Sequence, residues 1–162
     1  MFEKFGEFDS AEEINRAAKA QLEEGDKEAI EGIAMENGLD QEDVEDFCTG
    51  TIEELTTPVL AALGKLDVEA KELGLTGMME EWKNLIEEMC TESEEMSIAV
   101  RRKGKRMEEV LGMVLKVGFD MKIRLNDRIT KAAGLTPPIY LGIPGKAKIR
   151  EIVREYYRGE KK

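Results

Sequence analysis

Three features of this 162-residue chain predict an all-α or nearly all-α protein. Apolar residues recur at three- and four-residue spacing along most of its length. Helix caps and stop signals punctuate that periodicity, and only one short stretch alternates at the period of two that a strand requires. The expectation is a compact bundle of about eight short and medium helices, with at most a minor two-stranded element.

The elements read off in order. Ser10 caps a first helix, Glu13 closes a capping box, and Gly25 ends it. Asp26 caps a second, stopped by Asn37-Gly38; Asp40 opens a third, which buries Val44 and Phe47 and stops at Gly50. Thr57-Pro58 places proline at the first helical position, where a missing N–H costs nothing. Val59, Leu63, Leu66, Ala70 and Leu73 then mark one face of a helix ended by Gly74. Met78, Trp82, Leu85, Ile86 and Met89 mark the next, with Trp82 and the methionines read as core. Thr91 and Glu94 are expected to cap a helix running into "AVRRKGKR", and Met107, Val110, Leu111, Val114 and Leu115 define its successor. "MKIRLN" alternates at period two, "DRITKAAG" is a short helix ended by Gly134, and the prolines of "TPPIYLGIPG" favour extended chain. A final helix directs Ala147, Ile149, Ile152, Val153 and Tyr156 inward. Residues 1–50 are expected to form an acidic helical lobe. Residues 51–162 would be the main helical domain, its core built by the helices near 58–73, 77–90, 92–103 and 105–117, its C-terminal part basic.

Composition narrows the chemistry. Apolar residues make up 41% of the chain but aromatic ones only 6%, so the core should be aliphatic and filled by methionine. No run approaches the ~20 apolar residues of a membrane span, and the N-terminus lacks the pattern of a secretory signal, so a cytoplasmic protein with no membrane partner is expected. Cys48 and Cys90 have no metal or redox spacing and read as two thiols in a reducing compartment. The chain has no histidine, which removes Ser-His-Asp and Cys-His catalysis and histidine-bearing metal sites. Acids are plentiful enough to suggest magnesium, but "DQEDVED" lacks the central glycine and distal glutamate of a calcium loop. The reading is therefore no enzyme, no metal and no cofactor.

Charge is the strongest signal. Residues 1–99 hold 28 Asp and Glu against 7 Lys and Arg, whereas residues 100–162 hold 17 Lys and Arg against 7 acids. The acidic candidates for partner binding are Glu12, Glu13, Glu23, Glu24, Asp43, Glu45, Asp46, Glu53 and Glu54. The candidates for nucleic-acid or anion binding are Arg101, Arg102, Lys103, Lys105 and Arg106 of "RRKGKR", with Gly145, Lys146, Lys148, Arg150 and Arg154 of the last helix. "RRKGKR" suits either phosphate contact or docking against the acidic half. Gly142-Ile143-Pro144-Gly145 resembles the GxxG loop of a KH module, but Lys148 stands where that loop is followed by isoleucine. What remains there is a helix start whose free N–H groups and neighbouring lysines suit an anion.

"FEKFGEFDSAEEINRAA", "AVRRKGKR", "KAAG" and "LGIPGKAKIREIVREYYRG" together resemble small accessory proteins of mobile genetic elements, such as conjugative elements, plasmids and prophages, in anaerobic Gram-positive bacteria. The resemblance implies service in an element's transfer, replication or regulation, or inhibition of a host defence system. Acidic helical proteins of the second kind, of anti-CRISPR type, resemble nucleic-acid mimics. The implied partner is then a basic protein, such as a CRISPR nuclease or another nucleic-acid-binding enzyme. The alternative partner is DNA or RNA, held by the basic half.

Overall fold

A computed structural model describes residues 3–159. Among them are nine helices: α1 (Ala11–Glu24), α2 (Lys27–Glu36), α3 (Gln41–Thr49), α4 (Pro58–Leu73), α5 (Met78–Glu92), α6 (Glu94–Arg101), α7 (Met107–Asp120), α8 (Asp127–Ala132) and α9 (Lys146–Arg158). Two strands of two residues each, β1 (Ile123–Arg124) and β2 (Tyr140–Leu141), pair antiparallel with Ile123 opposite Leu141. The protein is nearly all-α, as its periodicity predicts.

Local chemistry sets the boundaries. Ser10 Oγ accepts from the Glu13 N–H at 3.2 Å while the Glu13 carboxylate accepts from the Asp9 N–H at 2.7 Å. Asp26, Asp40, Thr57 and Asn126 cap their helices in the same way. One boundary differs from expectation. α5 continues through Thr91, whose hydroxyl donates back to Glu88 O, and Ser93 is the cap of α6, accepting from the Met96 N–H. Ser93 can serve both ends because its extended backbone breaks the helix (φ −148°, ψ 115°).

Two apolar clusters form. One joins α1, α2 and α3 through Ile14, Ile30, Ile33, Val44 and Phe47, with Leu55 and Ala61. The other joins α4 to α7 with α9 through Leu66, Trp82, Ile86, Val100, Met107, Val114, Ile152 and Val153. α4 faces both, giving Ala61 to the first and Ala62 and Leu66 to the second. Its buried set of Ala61, Ala62, Gly64, Lys65, Leu66 and Glu69 is therefore wider than the single stripe of the sequence reading, and Leu73 lies at the surface. The clusters meet where backbone touches backbone. A Cβ at Gly64 would lie 2.2 Å from Asn37 O, and one at Gly38 (φ 67°) would lie 2.3 Å from Gly64 O. Only glycine permits that approach. In α9 the inward positions are Ile149, Ile152, Val153 and Tyr157, whereas Ala147 is exposed and Tyr156 half-buried.

Candidate functional site

The α6–α7 turn carries "RRKGKR", and its surroundings are ionic. α4 places Lys65 and Glu69 one turn apart, both buried, beneath this turn. Lys65 Nζ donates to Val100 O at 3.1 Å and Arg102 O at 3.0 Å, which satisfies carbonyls at the end of α6. Glu69 Oε1 accepts from the Met107 N–H at 3.3 Å, at the start of α7. A cation thus meets a helix C-terminus and a carboxylate meets a helix N-terminus, the arrangement that helix dipoles favour. The two side chains terminate one helix and start the next.

From the other side comes the N-terminal segment. Glu7 binds Arg106 through two hydrogen bonds of 2.7 and 3.0 Å, accepts from the Gly104 N–H at 3.1 Å, and lies 3.7 Å from Lys65 Nζ. Asp9 Oδ1 accepts from the Lys103 N–H at 2.9 Å. Arg101 is fully buried and donates to Asn37 Oδ1 at 2.6 Å, tying α6 to the end of α2. Lys105 Nζ donates to Tyr156 O at 2.7 Å, and the Tyr156 hydroxyl accepts from the Arg106 N–H at 2.7 Å and donates to Glu109.

Burial dominates the titration of Lys65 and Glu69. It lowers Lys65 to about 8 against the pull of Glu69 and Glu7. It raises Glu69 to about 6, against Lys65 and the Met107 N–H. For Glu7, burial pushes upward, but the Arg106 and Gly104 hydrogen bonds with the charges of Arg106 and Lys65 outweigh it and hold the carboxyl low. Arg106 is raised in turn, first by its hydrogen bond to Glu7.

This geometry divides the basic set. Arg101 is a core residue with no surface to offer a ligand, because its guanidinium bridges α6 to α2. Arg106 and Lys105 are half-buried and engaged with Glu7 and Tyr156. Arg102 and Lys103 project into solvent. On α9, Lys146 pairs with Glu88 at 2.8 Å, Lys148 with Glu151 at 3.2 Å, and Arg150 with Glu92 and Glu88. Gly145 is the exposed N-cap of α9 and brings no side-chain cap, and Lys146 beside it is taken by α5. Arg154 lies between Arg150 and Arg158 along a small cleft over Ser93 and forms no ion pair with another described residue. The turn sits by Tyr156 near the C-terminal end of α9, and the Lys146 and Arg150 group sits near its start. These are two separate patches, each facing acids of the same chain.

The acidic candidates are placed differently. Glu12, Glu23, Glu24, Glu45, Asp46, Glu53 and Glu54 are exposed, while Glu13 and Asp43 are half-buried. Among the described residues the nearest cation to any of them is Lys19, 3.9 Å from Glu54. The N–H groups of Thr51 and Ile52 bind Asp46 O, and Asn15 of α1 bonds the backbone of Thr56 at 3.0 and 2.9 Å. Those bonds gather the end of α3, Glu53 and Glu54 beside the middle of α1. Neither α1, α2 nor α3 carries a basic residue in its last turn, and α1 ends on Glu23 and Glu24, where the dipole is already negative. Among the described residues no three Asp, Glu or Cys side chains converge as metal ligands, and no helix is long and apolar enough to cross a membrane.

Lys65, Glu69, Glu7 and Asn37 are the residues that sequence reasoning missed. Lys65 and Glu69 do carry a signal, an i, i+4 charge pair within the apolar stretch of α4. No family model matches the chain, and neither a curated protein nor a solved structure is significantly similar to it.

Proposed function

We propose that this protein acts without catalysis, by laying its acidic lobe into the positively charged groove of a nucleic-acid-binding protein. One observation carries the reading. Arg106 and four of the five cations of α9 pair with acids of the same chain, whereas seven of the nine candidate acids are exposed and, among the described residues, only Glu54 of the nine has a cation within 4 Å. The net charge of −11 is thus weighted toward the first half of the chain.

The density suits a phosphate mimic. α3 carries Glu42, Asp43, Glu45 and Asp46 within nine residues. At ~1.5 Å of rise per residue this is about one carboxylate per 3.4 Å of axis, the charge spacing of one strand of B-DNA. The resemblance to mobile-element proteins adds a class of target, a host defence effector such as a CRISPR nuclease. Association would be fast and strongly weakened by salt.

The test is displacement of a fluorescent DNA duplex from purified RNA-guided nucleases. The wild-type chain should displace it, and a variant with Asp43, Glu45, Asp46 and Glu53 changed to Lys should not, circular dichroism confirming that both are folded. Equal displacement by both proteins, or none by either, defeats the proposal. In the competing reading, Arg102, Lys103, Lys148 and Arg154 contact DNA or RNA directly. A mobility shift by the chain alone that weakens steeply with salt would favour it.

A further inference from the structure

Residues 119–143 form an arm: the end of α7, β1, α8 and β2. Its base is tightly fixed, since a Cβ at Gly142 would lie 2.2 Å from Gly118 O and 2.7 Å from the Lys122 backbone. Its surface mixes exposed charges, Lys122, Arg124, Asp127, Arg128 and Lys131 among them, with large apolar side chains. Phe119, Ile123 and Ile129 are 62%, 65% and 66% exposed, and Met121, Leu135, Tyr140, Leu141 and Ile143 are about half exposed. Beside the arm runs a groove of about 340 Å³ floored by Trp82, Gly118 and Pro144 and walled by Met78, Leu115 and Leu141.

We infer that this face is the interface of a symmetric dimer, exposed apolar side chains of each copy's arm filling the groove of the other. Three observations select a second copy as the occupant. The first is shape, because a two-fold interface needs a self-complementary patch, and a projecting arm that adjoins a groove supplies one. The second is area. Nine large apolar side chains between Leu115 and Ile143 are about half exposed or more. Five of them, Leu115, Phe119, Tyr140, Leu141 and Ile143, line the groove, and Ile123 pairs with Leu141 beside it, a contiguous patch on the scale of the ~300–600 Å² that is often functional on a monomer.

The third is charge. The arm wall of the groove carries Lys122, whose ammonium lies 3.7 Å from the centre of the Phe119 ring. The opposite wall begins at Met78, next to the exposed Glu80 and Glu81 in the first turn of α5. A two-fold rotation can bring Lys122 of one copy toward the acidic start of α5 in the other, where Glu81 borders the adjoining cleft. Dimerisation there leaves the acidic lobe of each copy free.

Sedimentation velocity on the full chain reads this directly. The wild type should move as a dimer of 18.2 kDa chains and dissociate on dilution. Phe119→Asp and Leu141→Asp should each weaken the dimer roughly thirtyfold or more while helix content is kept. Lys122→Glu should weaken it, and adding Glu81→Lys in the same chain should restore it, a rescue that a folding defect would not show. A wild type monomeric at every concentration overturns the inference, as does a dimer indifferent to both aspartates. So does a monomer that binds phosphatidylglycerol vesicles through Phe119 and Leu141, which would make the arm a lipid contact.

Discussion

Lys65 and Glu69 show how a charge pair can be structural without being a stability bonus in isolation. Each is lifted from water, which pushes both toward their neutral forms, and each bonds a helix end that would otherwise lack partners, Glu69 Oε2 being left without one. Removing one side leaves the rest buried and unpaired, so Lys65→Met should lower stability by about 3–5 kcal/mol in urea unfolding. The pH response has a definite sign. Glu69 has its folded pKa raised from 4.5 to about 6, so the folded state binds more protons in that window. Its contribution therefore falls as pH rises from about 4.5 to 6, by ~2 kcal/mol. Unfolding of Glu69→Gln across that range should lack the decline. Glu7 runs the other way, its stabilisation being lost as pH falls through its lowered pKa. The thiols differ too. Cys90 is fully buried and its pKa is pushed up to about 12 by burial, whereas Cys48 is partly exposed. An aromatic disulfide reagent at pH 8 should titrate one thiol per native chain and both in denaturant.

At the level of elements, caps and stops were legible because each is a local bargain among a few neighbouring residues. Ser10, Asp26, Asp40 and Thr57 all fall where the sequence puts them. The Thr91 misreading arose because Thr91 and Ser93 are both capping residues, and only the preference of Thr91 for the Glu88 carbonyl decides between them. α4 was half legible. Its apolar stripe shows one buried face, but a helix pressed between two clusters buries a second, and that face is made of glycine, alanine and a charge pair. The glycine contact gives a sharp prediction. Gly64→Ala and Gly38→Ala should each cost 1–3 kcal/mol or more, since the intruding methyl meets backbone on both sides. α1 predicts the opposite. Glu23→Lys and Glu24→Lys at its C-terminus should each raise stability by about 0.5 kcal/mol while weakening the partner. A thermal melt showing no gain would mean that the lobe's charge carries no stability cost.

Across the whole molecule, the division between acidic and basic halves was plain in the sequence, but its use was not. "RRKGKR" reads equally as a phosphate contact or a docking strap until Glu7, nearly one hundred residues away, is placed on Arg106. Contacts at that separation leave no local trace. Burial of Arg101 is equally silent in sequence, because its partner Asn37 looks like an ordinary helix stop. The fold resolves the division by pairing Arg106 with Glu7 and the cations of α9 with α5, and by leaving Glu12, Glu23, Glu24, Glu45, Asp46 and Glu53 exposed. The most direct measurement immobilises the wild-type chain and the Asp43, Glu45, Asp46, Glu53→Lys variant and exposes both to nuclease-treated extract of the source cell. The account predicts that the wild type retains a basic, nucleic-acid-binding protein, released by salt, and that the variant does not. Equal retention by both chains, or recovery of nucleic acid in untreated extract that depends on Arg102 and Lys103, would contradict it.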